Sequence, residues 1–210
     1  MPEALRHPAL IEQLGAPQSA KRRSAAKKLR KLQDASAGPA LLAALQRELE
    51  DVRTWETQYQ MVMALGECGH RAALPFLEAL AARSFDATMV YVAIGDAIVR
   101  LSHSGPADVS AVLRLMRGAR DPMLVDGAFR AMAMLRLVPE DAAIAEMLDY
   151  VKALGAKGEE RRFWLAAAAP GWRGAQVAAF LDECERSTAA HVREAAALAK
   201  ERKYRKWQPL

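Results

Sequence analysis

The chain has 210 residues, 52% of them hydrophobic, with a formal charge of +5 and a pI near 9.4. That is enough apolar material for a continuous core, and it excludes a disordered chain. The two cysteines, Cys68 and Cys184, lie far apart and outside any C-x-x-C pair, so neither a disulfide framework nor a zinc site is expected.

Met1 to Pro8 holds no apolar run fit for a signal peptide, and the longest apolar stretch, Phe163 to Pro170, is too short to span a bilayer. A cytoplasmic protein that makes no membrane contact is expected. Aromatic residues are only 6% of the chain, whereas Ala, Leu, Arg, Glu and Met abound, so local propensity favours helix throughout.

In chain order, Glu3 to Leu14 suits a short opening helix stopped by Gly15 and Pro17. Ser19 opens the next, whose apolar positions Ala25, Ala26, Leu29 and Leu32 share one side. After Ala37-Gly38-Pro39, Leu41, Leu42, Leu45 and Leu49 carry a third helix to Glu50-Asp51. The segment Gln58 to Gly66 is the fourth, and a turn at Gly69 leads to Arg71–Ala82 and then Thr88–Leu101.

Ser104-Gly105-Pro106 interrupts the chain. Val109 to Gly118, the helix behind Asp121-Pro122 and the stretch Glu140 to Leu154 follow. Pro139 ends the second of these. Glu159 to Ala168, Gln176 to Arg186 and His191 to about Lys203 complete a tally of about twelve helices in six pairs. The approximate pairs are 1–34, 38–69, 70–103, 106–138, 140–169 and 173–206, in one domain over 1–210.

Aligning the second helices places Arg23, Gln58, Tyr91, Asp126, Arg162 and Arg193 in register, at steps of 31 to 36 residues. A helix pair this short cannot bury its apolar face alone, so a period in this range means stacked units. Asp51-Val52-Arg53 and Asp121-Pro122 punctuate the middle of their pairs, and Val192-Arg193-Glu194-Ala195-Ala196 opens the last helix. These features resemble the HEAT-repeat family, whose units pair two antiparallel helices around an Asp-containing turn followed by Val-Arg. The resemblance implies an all-α, right-handed α-solenoid of about six antiparallel helix pairs, with the second helices lining a concave face. The candidate inner-face residues are then Arg53, Glu56, Thr57, Gln60, Tyr91, Asp126, Arg130, Arg162 and Arg193.

Lys21, Arg22, Arg23, Lys27, Lys28, Arg30 and Lys31 are seven cations with no acid between them. On a helical wheel all but Arg22 lie opposite Leu29 and Leu32, as a ridge. Such a ridge serves either as a solvated face, a grip on nucleic-acid phosphates, or a contact for an acidic protein. The tail Glu201-Arg202-Lys203-Tyr204-Arg205-Lys206-Trp207 interleaves cations with aromatics, which suits a closing amphipathic helix and, second, a nucleic-acid contact.

His7, His70, His103 and His191 are scattered, and neither a nucleophile motif nor a Gly-rich phosphate loop occurs. No cofactor or metal is expected. One enzymatic branch resembled by this architecture, metal-dependent hydroxylases with repeated His-Glu dipeptides, has no counterpart here. Another, HEAT-like DNA alkylation repair glycosylases, is matched loosely by size, pI and Trp55, Trp164, Trp172 and Trp207, with Asp96 or Asp126 as the conceivable carboxylate. The expected function is a non-enzymatic module that binds a partner protein on its concave face, with nucleic-acid binding through the basic first repeat as the alternative. Glu56, Asp96 and Asp126 would repel a continuous phosphate track but suit a partner carrying both signs of charge.

Overall fold

The computed structural model describes residues 7–206, and those residues form helices without a strand among them. The helices are α1 (Pro8–Gln13), α2 (Ser19–Leu32), α3 (Gly38–Glu48), α4 (Trp55–Glu67), α5 (Leu74–Ala81) and α6 (Met89–Ser102), then α7 (Ser110–Gly118), α8 (Pro122–Leu135), α9 (Asp141–Ala153), α10 (Glu159–Ala168), α11 (Ala175–Glu185) and α12 (Ala190–Lys200). Consecutive helices pack as pairs in α1–α2, α3–α4, α5–α6, α7–α8 and α11–α12, whereas α9 touches α10 only lightly. The chain divides into two compact units between Ser102 and His103, at the interruption that Ser104-Gly105-Pro106 marks.

In the first unit the second helices stack in a row, with α4 packed against α2 on one side and α6 on the other, and α3 and α5 against α4 and α6 respectively. Leu29, Leu41, Leu45, Met61, Met63, Leu65, Leu77 and Ile94 are almost wholly removed from water, at about 1.5–3 kcal/mol of favourable transfer each. The α4–α6 contact is close because Gly66 has no side chain. A methyl group there would lie 2.9 Å from the Ala97 Cα. The helix then ends through Gly69, whose φ of +70° is a left-handed conformation that glycine adopts without strain.

The second unit repeats the plan, with α10 between α8 and α12, and α7 and α11 packed on α8 and α12. Asp121 caps α8 by accepting a hydrogen bond from the Met123 amide, and Pro122 takes the first turn. Trp172 fills the core and donates its indole N–H to the Leu137 carbonyl at 3.0 Å.

Three expectations change. The Arg71–Ala82 helix begins as a 3-10 turn over Arg71–Ala73, with the α-helix proper starting at Leu74. Leu32 is 47% exposed, because at 100° per residue it sits on the edge of the arc centred on Ala26 and Leu29, where α2 ends in a left-handed Gln33. The last helix stops at Lys200, and the residues after it run without helix across α10 and the Ala169–Gly171 turn. Part of the opening helix, Glu3 to Arg6, and Trp207 lie outside the described residues.

Candidate binding surface

The largest departure concerns the second helices. α4 is buried from Thr57 through Gly66, α6 from Val90 through Val99, and α8 from Leu124 through Ala133. Of the residues expected on an accessible inner face, Thr57, Gln60, Tyr91, Asp126 and Arg130 are therefore buried. The physical reason for α4 is that its neighbours cover three sides of it and small residues such as Ala64 and Gly66 let them close in.

These buried polar groups are held by internal bonds. Thr57 shares a 2.7 Å hydrogen bond with Ser19, and Gln60 accepts from Arg30 at 3.4 Å. The Tyr91 hydroxyl donates to the Arg83 carbonyl and accepts from the Phe85 amide, both at 3.0 Å, which pins the loop between α5 and α6. Gln58 does the same for the loop before α4, donating to the Glu48 and Asp51 carbonyls. At the last pair Arg193, although exposed, donates to the Ser187 and Thr188 carbonyls. Arg22, one residue off the aligned Arg23, makes the equivalent bonds to Ala16 and Pro17. The repeated position thus clamps the turn in the second, third and last pairs, and its neighbour Arg22 does so in the first.

Asp126 belongs to another kind of contact. It faces Arg161 of the adjacent second helix, with Oδ2 accepting from Nη2 at 3.2 Å and Oδ1 lying 2.9 Å from Nε outside hydrogen-bond geometry. Burial pushes the Asp126 carboxyl up to about 6, against the opposing pull of Arg161. Asp96, wholly buried, pairs with Arg100 at 2.5 Å. Both acids named as conceivable catalytic carboxylates are therefore enclosed and held by arginines. Of the described tryptophans that accompanied them, Trp172 is buried in the core, Trp164 packs edge-on against Phe163, and Trp55 is among the exposed large apolar side chains.

Besides Leu32, the large apolar side chains that the described part of the first unit presents to water lie at the turn ends of its second and third pairs. Val52 is 71% exposed, Met89 41% and Trp55 37%. Val52 and Trp55 line a shallow recess of about 60 Å³ together with Phe85, Ala87 and Arg83. The wall is ordered: Phe85 packs edge-on against Tyr91 at 5.3 Å, and Arg83 lies 5.9 Å above the Phe85 ring. The rim is charged in both signs. Arg53 grips Asp51 through two bonds of 2.8 Å, and that bonding lowers the Asp51 carboxyl to about 2. Exposed Glu56 pairs with Arg23. The sequence offered one signal for this surface, large apolar residues inside the Asp51-to-Trp55 turn, where a solvated loop has no packing use for them.

The seven cations of α2 separate by type. Arg22 bonds Glu48 through Nε at 2.5 Å and Nη2 at 2.9 Å, and although burial raises the Glu48 carboxyl, the bonds from Arg22, Thr54 and Ser19 hold it below its ordinary value. Arg23 pairs with Glu56, and buried Arg30 bonds Glu67 at 2.9 Å. Lys21, Lys28 and Lys31 are exposed and Lys27 is half-buried.

In the second unit Arg162 is half-buried in a groove of about 210 Å³ between α9 and α11, floored by Leu148, Val151 and Phe180 and edged by Lys152, Asp149 and Glu183. The two cysteines are free and buried, which raises their thiols to about 11 for Cys68 and about 12 for Cys184 and leaves them unreactive. Among the described residues no helix is long and apolar enough to cross a membrane.

No curated protein matches the chain. Among solved structures, a designed armadillo repeat protein aligns with 93% of this chain and 98% of its own, at 17% identity and a TM-score of 0.43. The family model for HEAT repeats matches residues 7–94, which span α1 to the first half of α6, so the helix-pair resemblance read from the sequence is matched over most of the first unit.

Proposed function

We propose that the protein is a non-enzymatic binding module that docks a partner protein on the turn ends of the second and third helix pairs, at Val52, Trp55 and Met89. The observation that carries this reading is the group of exposed large apolar side chains at one end of the first unit, beside an ordered recess. An apolar centre within a charged rim is the anatomy of a protein interface, and a tryptophan at its edge is the side chain most often responsible for affinity. The rim carries Arg53 and Arg83 beside Glu56 and Asp86, which suits a partner with both signs of charge and disfavours a continuous row of phosphates. Stacked helix pairs supply this surface without any ordering cost on binding. A cytoplasmic setting belongs to the same reading, supported by two cysteines kept as buried thiols.

The test is a photo-reactive group placed at Met89, irradiated in extract of the native host. A small set of protein adducts is expected, competed away by excess unlabelled wild type but not by a variant carrying Val52→Asp and Trp55→Ala. If that variant competes as well as wild type, the turn ends are not the docking surface.

A further inference from the structure

We propose that the lysine face of α2 is a second binding surface, which takes the phosphate backbone of double-stranded nucleic acid without reading its sequence. It is separate from the apolar turn ends, and neither reading depends on the other.

The argument begins with what α2 has already committed. Its three arginines each engage an acid of the first unit, namely Glu48, Glu56 and Glu67. Its four lysines engage none among the described residues. At 100° per residue, Lys27, Lys31, Lys28 and Lys21 occupy an arc of about 120°, with Ser24 in its middle, and they extend over about 15 Å of helix. No acid occurs within the helix. The acid that shares a recess with one of them is Glu12, beside Lys21.

Four like charges on one arc repel one another by a few tenths of a kcal/mol for each close pair, and apart from Glu12 beside Lys21 the fold brings them no acid. A polyanion does, because each phosphate neutralised releases a condensed counterion. Duplex fits better than single strand. Its charge density is higher, and single-strand binding relies on aromatic platforms, of which α2 has none. Lysine offers a point charge rather than the planar fork that reads guanine edges, so the contact positions the protein on the backbone and carries no sequence preference.

The experiment is titration of a labelled 20-base-pair DNA with purified protein, from low salt upwards. Four contacts give a slope of log affinity against log salt of about −3.6, which is roughly a 100-fold loss between 50 and 200 mM. Lys28→Gln and Lys31→Gln should each reduce the slope by about one, and the quadruple change of Lys21, Lys27, Lys28 and Lys31 to Gln should abolish binding. Glu12→Gln should tighten it. Exchanging Lys152 and Lys157 of the second unit for Gln, or introducing Val52→Asp with Trp55→Ala, should leave it unchanged, so that a failed docking surface and a failed lysine face are told apart. A wild-type slope in the quadruple variant overturns the proposal, as does the absence of binding by wild type at low salt. Tighter binding of single strand than duplex, or equal competition by polyglutamate of matched charge, also overturns it. If the quadruple variant does not fold, as judged by its helical circular dichroism, the two single variants decide the matter.

Discussion

The two basic clusters of the chain look alike as strings of residues and behave differently as structure. In the tail, Arg202 donates to the Pro170 and Trp172 carbonyls, Lys203 pairs with Glu201, and Arg205 lies 3.2 Å from Glu194 and 5.6 Å above the Phe163 ring. Tyr204 sits under the Arg136 guanidinium at 4.7 Å. The tail therefore spends both of its arginines and Tyr204 on closing the second unit. On α2 the arginines do the same for the first unit, but the four lysines meet no acid partner among the described residues, and three of them are exposed. A cation becomes structural where the fold brings it an acid or a carbonyl, and the count of charges in a segment does not tell which will be reached.

The largest expected effect tests the structural cations. Arg30→Ala leaves Glu67 half-enclosed without its partner and should destabilise the protein by about 3–5 kcal/mol, seen as a lower midpoint in urea unfolding. An effect below about 1 kcal/mol would place Arg30 with the lysines and dissolve the distinction.

Asp126 and Arg161 sharpen the comparison, because here burial opposes the pair. The folded carboxyl holds its proton to about pH 6, against 3.8 for the ordinary group. Between those values the unfolded chain has already released its proton, so wild type loses stability as pH rises from about 4 to 6 and the loss persists above. Asp126→Asn has no such titration. Its stability relative to wild type should improve by up to about 3 kcal/mol between pH 4 and pH 7, measured by denaturant unfolding at each pH. A difference that is flat with pH would mean that Arg161 outweighs burial.

The smallest effect belongs to the lysines. Lys31→Gln should leave stability unchanged or raise it by up to about 0.5 kcal/mol at low salt, as repulsion from Lys27 and Lys28 is relieved, and the gain should vanish at high salt. Lys200→Gln in the second unit should act in the opposite direction, since Lys200 bonds both Asp182 and Glu185 at 2.6 Å. Thermal melts at two salt concentrations compare the two.

By itself the sequence determined the helices and the interruption near residue 104, because these rest on 3.6-residue periodicity, on Gly and Pro at the turns and on Asp caps, all of which are local. Even the aligned positions Tyr91 and Arg193 mark a repeated structural task, though it proved to be clamping the turn rather than facing a ligand. Only the tertiary structure decided which polar residues meet water. Thr57 and Gln60 look like surface residues until α2 and α6 close over α4, and Val52 and Trp55 stay in solvent because no described element covers them. Burial is a property of neighbours distant in sequence, such as Ser19 against Thr57 or Ala97 against Gly66, and helical periodicity carries no information about how closely two helices will approach.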